Sequence, residues 1–124
     1  MENVFKYLYN ENSKIFYKYY FGNISFDDIQ QTWNHIISNH LLPSESIGII
    51  IDYRDATLQM EPKEHHKIAQ LYHDNIETFR GKKIAIVTED PKDIVIPMLV
   101  RLKDDGYSSK PFSTEKAAIS WIIH

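Results

Sequence analysis

Ile47-Gly48-Ile49-Ile50-Ile51 is the stretch on which the fold turns. It is a short unbroken apolar run bounded by polar residues, and it lacks the alternation of a strand that keeps one face wet. Such a run is expected of a central strand covered on both faces, the usual situation in a sheet that is largely parallel. Ile84-Ala85-Ile86-Val87 repeats the pattern further along the chain.

The segments around these two runs read as helices and a hairpin. Between them, Pro62 suits the first turn of a helix with Ile68, Ala69, Tyr72, Ile76 and Phe79 as its buried stripe and Gly81 as its stop. Ahead of the first run, Ser25 is placed as an N-cap with Asp28 three residues on, and Phe26, Ile29, Trp33, Ile36 and Ile37 recur at helical spacing until Leu42-Pro43. After the second run, Ile94, Val95, Met98, Leu99 and Leu102 share a helix face that stops at Gly106. Pro97 interrupts that pattern and is tolerable only if the helix begins near Asp93, where early N–H groups lack partners anyway.

Residues 108–112 form a short strand that Pro111 places at a sheet edge, because proline cannot donate to a ladder. A closing helix turns Ala118, Trp121 and Ile122 inward. At the other end Val4, Lys6 and Leu8 alternate with Phe5, Tyr7 and Tyr9, a turn follows at residues 10–13, and residues 14–21 form an aromatic-rich strand ended by Gly22-Asn23. The order is β-β-α-β-α-β-α-β-α. It predicts one α/β domain over residues 1–124, with a single-layer mixed, mainly parallel sheet opened by an antiparallel hairpin.

Composition narrows the chemistry. Among 124 residues there is no cysteine, which excludes disulfides, a thiolate nucleophile, Cys-ligated zinc and iron–sulfur sites. The longest apolar run, residues 94–100, contains Pro97 and falls far short of the roughly 20 residues of a membrane span. The opening Met1-Glu2-Asn3-Val4-Phe5-Lys6 lacks the basic flank and long apolar core of a secretory signal, so a cytoplasmic location is expected. A formal charge of −3 argues against a dedicated nucleic-acid binder. The glycines are too scattered to cradle a phosphate and no serine has a nucleophile's surroundings, so no cofactor and no enzymatic activity are expected.

The element order, the glycine after the second strand, the strand end Ile51-Asp52-Tyr53-Arg54-Asp55-Ala56, the strand Lys83-Ile84-Ala85-Ile86-Val87 and the closing stretch from Phe112 to Ile122 together resemble the SpoIIAA-like branch of the STAS superfamily. The resemblance covers nearly the whole chain. It implies a β/α superhelix with a mixed sheet, related in shape to the lipid-binding CRAL-TRIO domains. In the phosphorylation-regulated members a serine opens the helix after the central strand. The stretch here is Ala56-Thr57-Leu58-Gln59-Met60-Glu61-Pro62, which leaves Thr57 as the only hydroxyl nearby and predicts a module without the serine switch.

Two surfaces are candidate sites. Ligands of open α/β sheets bind beyond the carboxyl ends of the strands, which singles out Asp52, Arg54, Asp55 and Thr57 with Glu89 and Asp90 as a ligand- or partner-binding rim. The same residues also read as a solvated ion pair around Arg54 and a helix cap at Asp90. On the hairpin, Phe5, Tyr7 and Tyr9 share a face of one strand and Phe16 and Tyr20 a face of the other; if the helices lie opposite, this aromatic face is an interface for a protein partner or for self-association.

His65, His66 and His73 lie on one helix but point apart or stand about 10 Å apart along it, so no metal is expected. His65 instead continues the stripe of Ala69, Tyr72 and Ile76. The function expected is a non-enzymatic binding or regulatory module acting through protein contacts. The alternative is a carrier of a small apolar, lipid-like molecule, for which the implied shape and the many Ile, Phe and Tyr residues are the motive; a third, less favoured reading is an enzyme using Asp52, Asp55 and Glu89 as acid–base groups.

Overall fold

Five strands form one sheet in chain order: β1 (Phe5–Asn10), β2 (Ile15–Ile24), β3 (Gly48–Leu58), β4 (Lys83–Val87) and β5 (Ser108–Phe112). β1 and β2 pair antiparallel, and every later pair is parallel. This computed structural model describes residues 4–124; residues 1–3, part of the opening read for a leader, lie outside the described residues. The predicted fold class therefore holds, with β1 and β5 at the edges.

The helices divide unequally between the faces. α1 (Phe26–Ser38), α2 (His65–Asp74), α3 (Ile76–Phe79) and α4 (Pro91–Arg101) all contribute to one core, against Phe16 and Tyr20 of β2, Ile49, Ile51 and Tyr53 of β3 and Ile84 and Ile86 of β4. α5 (Glu115–Ile123) lies on the other face, where Ala118 and Ile122 meet Ile15, Ile50, Ala85 and Val87. Consecutive isoleucines of β3 thus enter different cores, which is why the run does not alternate. Ile47 stands outside the strand and is exposed; its N–H donates to the Lys14 carbonyl.

Several boundaries differ from the sequence reading. Gly22-Asn23 does not end β2: Gly22 takes φ +78 and the strand runs on to Ile24, with Gly22 opposite Ala56 and Ile24 opposite Leu58. The single helix expected after Pro62 is a 3₁₀ turn at Pro62–Glu64 followed by α2 and α3. The break falls at Asn75, whose side chain donates to the Leu71 carbonyl and so competes with the helix ladder. α4 begins at Pro91, two residues before Asp93. Asp90 caps it by accepting the Lys92 N–H, and Pro97 sits inside the helix, depriving the Asp93 carbonyl of its usual donor. Ser25 caps α1 with a complete capping box to Asp28, as its spacing predicts.

Candidate functional site

The pairing of β2 with β3 slips between Tyr19 and Phe21: Tyr19 lies opposite Asp52, but Phe21 lies opposite Asp55. β3 therefore carries one extra residue, a bulge at Tyr53-Arg54, and a bulge leaves a backbone N–H without a ladder partner. Asp52 supplies the partner. Its Oδ1 accepts the Arg54 N–H at 2.9 Å, and its two oxygens also take the guanidinium, Nε at 3.1 Å from each and Nη2 at 2.7 Å from Oδ2. One carboxylate thereby closes the backbone and fixes the side chain that the bulge turns outward.

Asp52 is only 5% exposed and points to the α5 face. Arg54 Nη2 also reaches Glu115 Oε2 at 3.6 Å, in the first turn of α5. Hydrogen bonding to Asp52 holds the Arg54 pKa above its ordinary value, and the charges of Asp52, Glu115 and Glu89 act in the same direction. Beside this group, burial pushes the Tyr19 hydroxyl up to about 12, with Glu115, Tyr17 and Asp52 adding and Arg54 opposing. Chemically, the arrangement commits its cation and its buried carboxylate to each other. Glu115, which completes it, carried no signal in the sequence beyond its place one residue past the Thr114 cap.

The remaining rim residues do not converge on this group. The segment 52–57 is the bulged second half of β3: Asp55 is exposed opposite Phe21, and Thr57 is half-buried opposite Asn23. Thr57 thus sits in a strand, away from any helix start. Glu89 is exposed after β4 and joins only through its charge, and Asp90 is the α4 cap.

The hairpin corrects the proposed interface. Phe5, Tyr7 and Tyr9 lie opposite Tyr20, Lys18 and Phe16, so all six side chains share the face that α1 packs against. Phe16 and Tyr20 are in the core with 0% and 1% exposure, and Phe5 and Tyr9 are half-buried against it. Only Tyr7, at the edge and stacked on Phe16 at 5.8 Å, is open to solvent. The aromatic-rich side was the buried one because the larger set of helices falls on it. The outward face carries Lys6 and Leu8 of β1 opposite Tyr19 and Tyr17, with Phe21 alongside; Lys6 Nζ lies 5.3 Å from the Tyr19 ring and 5.8 Å from that of Phe21.

Two further expectations meet the geometry. His65 is half-buried, but its ring and that of His66 turn back to the carbonyls of Pro62 and Lys63. Between the main helices and the sheet, Trp33, Tyr53, Tyr72, Ile96 and Pro97 leave an apolar space of about 20 Å³. That is near the volume of a single water position and far below the roughly 300 Å³ at which ligand sites begin. Among the described residues, no helix is long and apolar enough to cross a membrane.

No protein-family model matches the chain, and no curated protein matches it in sequence. It is similar in structure to an uncharacterized DUF3478-family protein from Shewanella loihica PV-4, whose crystal structure is described as having a SpoIIAA-like fold. The TM-score is 0.63 at 13% identity, over 95% of this chain and 91% of that one. The fold is SpoIIAA-like, as the resemblance implied, and a fold of this kind does not by itself assign a chemistry.

Proposed function

We propose that this chain is a non-enzymatic binding module that acts through protein contacts, and that its hairpin edge joins a second copy of the same chain. The observation that carries the reading is β1 itself. It is an edge strand whose neighbouring residues Tyr7 and Leu8, on opposite faces, are 42% and 47% exposed. Its outer backbone groups have no strand beside them among the described residues. An edge strand carries its own complement, since antiparallel pairing about a two-fold axis matches its donors to the acceptors of an identical strand. α5 packs chiefly on β3, β4 and β5, so beside that edge Lys6 and Leu8 are exposed and Tyr19 and Phe21 only half-buried, a partly apolar strip.

Light scattering on the purified chain tests the reading. A dimer is expected, and Tyr7→Glu and Leu8→Glu are expected to yield monomers with unchanged circular dichroism. Wild-type protein that stays monomeric at concentrations of hundreds of micromolar would rule the interface out. Tyr20→Glu is unsuitable as a probe, because it places a charge in the core.

A further inference from the structure

At the opposite end of the sheet from the Arg54 cluster, where β3 and β4 begin, a cleft of about 400 Å³ lies between the end of α1, the segment leading to β3, and α3 with the residues after it. One wall is apolar, made by Ile36, Ile37, Leu42 and Pro43. The basic residues of the lining are His40, just after α1, and Arg80 and Lys82, after α3, with the hydroxyl residues Ser44 and Thr78 and with Glu77 as the single carboxylate. Its volume falls within the range of small-molecule sites.

Two features of these side chains point to a ligand. Arg80 makes no ion pair among the described residues, although Glu77 lines the same cleft. Lys82 is nearly buried, and of the three donors on its ammonium one is well used, by the Ser46 carbonyl at 2.7 Å; the Ser44 carbonyl is reached only at 3.5 Å. Burial lowers its pKa, so an anion placed in the cleft would offset a desolvation that the carbonyls offset only in part.

The third feature is backbone strain. α1 ends in a Schellman motif: the Leu41 N–H donates to the Ile36 carbonyl at 2.9 Å and the His40 N–H to the Ile37 carbonyl at 3.2 Å. The position that must turn left-handed is His40, with φ 53. Glycine fills this position without steric cost, and any residue with a Cβ is strained there. The strain delivers an imidazole to the lining of the cleft that Arg80 and Lys82 also line.

We propose that this cleft binds a small anion with an apolar body, the head held by His40, Arg80 and Lys82 and the body laid on the half-buried Ile37, Leu42 and Pro43. A carboxylate and a phosphate monoester share the required head chemistry, because both accept the paired N–H groups of a guanidinium. A free cation is disfavoured by three basic side chains against one acid. The site is separate from the hairpin edge and stands whether or not the chain self-associates.

The experiment is a titration of the full chain with hexanoate, hexyl phosphate and hexanol, followed by amide nuclear magnetic resonance and by calorimetry. One of the two acids is expected to shift the amides around His40, Arg80 and Lys82, and the better of the two identifies the head group. Hexanol is expected to bind at least about tenfold more weakly. Arg80→Gln should weaken the acid by about tenfold, while His40→Gly should weaken it with no fall in melting temperature, since glycine relieves the left-handed turn. Equal binding of hexanol, shifts confined to another part of the molecule, or an affinity unchanged in Arg80→Gln would overturn the assignment.

Discussion

Lys18 Nζ lies 2.8 Å from Thr32 Oγ1 inside the main core, with the lysine wholly buried. The threonine hydroxyl has a single hydrogen to donate, and carbonyls of the preceding turn stand at 2.8 Å (Asp28) and 3.0 Å (Ile29) to receive it. Its oxygen is then left to accept from Lys18 and from the Tyr20 hydroxyl, also at 2.8 Å. The rest of the ammonium faces rings, with the centroids of Trp33, Tyr20 and Phe5 at 4.0, 4.6 and 5.6 Å. One acceptor and three ring faces do not replace water around a full charge, and burial lowers the Lys18 pKa well below its ordinary value.

Lys18→Met keeps the packing of the stem and removes the buried amine, so it is expected to raise stability near neutral pH by about 1 to 4 kcal/mol. The pH dependence has a definite sign. The folded pKa is lowered, so the unfolded chain binds the extra proton between that value and about 10.4, and wild-type stability rises with pH across this window. Urea unfolding at about pH 7 and about pH 9 should show the gap between variant and wild type narrowing at the higher pH. A gap that stays constant would mean that Lys18 does not titrate in this way.

Asp52→Ala strips the bulge of its cap and leaves the guanidinium without its main partner, and a loss of about 2 to 4 kcal/mol is expected. Glu115→Gln touches the same arginine only through a partly exposed contact and should cost less than about 1 kcal/mol. Thermal melts of the two variants decide the matter, since equal losses would show that the bulge cap is not what Asp52 provides.

Gly48 lies where β3 passes under α5. A Cβ there would stand 2.5 Å from Ile122 Cγ2 and 3.0 Å from the Lys83 carbonyl oxygen. Gly48→Ala is expected to cost about 1 to 3 kcal/mol. Combining it with Ile122→Ala removes the first clash but not the second, so the double variant should lose less than the sum of the single losses by at least about 0.5 kcal/mol. Strict additivity in denaturant melts would show that the two side chains do not compete for this space.

Tyr19 offers a spectroscopic check on the outward face. The difference in phenolate absorbance between wild type and Tyr19→Phe should titrate with a midpoint of about 12. Because that folded value lies above the ordinary 10.0, the contribution of Tyr19 to stability is complete below pH 10 and is lost as pH rises toward 12. A midpoint at the ordinary tyrosine value would mean that the ring is better hydrated than its packing on Tyr17 implies.

The parts of the fold visible in the sequence are those set by periodicity and local capping, except in α4, where Val95, Met98 and Leu102 of the expected face are exposed and Ile96, Pro97 and Val100 enter the core. The isoleucine runs, the Ser25 capping box and the proline at an edge strand each depend on residues close in sequence. The extension of β2 past Gly22 was not visible, because it depends on a partner strand more than two dozen positions away. The bulge was hidden for the same reason: Asp52, Tyr53 and Arg54 look alike whether the strand slips or not. The buried side of the hairpin is not legible in the sequence, because alternation separates two faces without saying which one the helices cover. Lys18 made that harder to see, since a lysine between Phe16 and Tyr20 marks a wet face by every ordinary rule and here lies in the core. Glu115 and His40 were missed because their roles arise from chain segments that only the tertiary structure brings together.

The strands of this sheet stand side by side in the order in which they occur along the chain. No strand has to be inserted between two that are already paired, and each pairing closes only the segment just completed. The loop-closure cost of each step is therefore incurred separately, starting from the hairpin, the shortest of them. A chain of this topology can build its sheet outward from its first strands as it emerges during synthesis, with α5 closing over β3, β4 and β5 only once the last strand is in place.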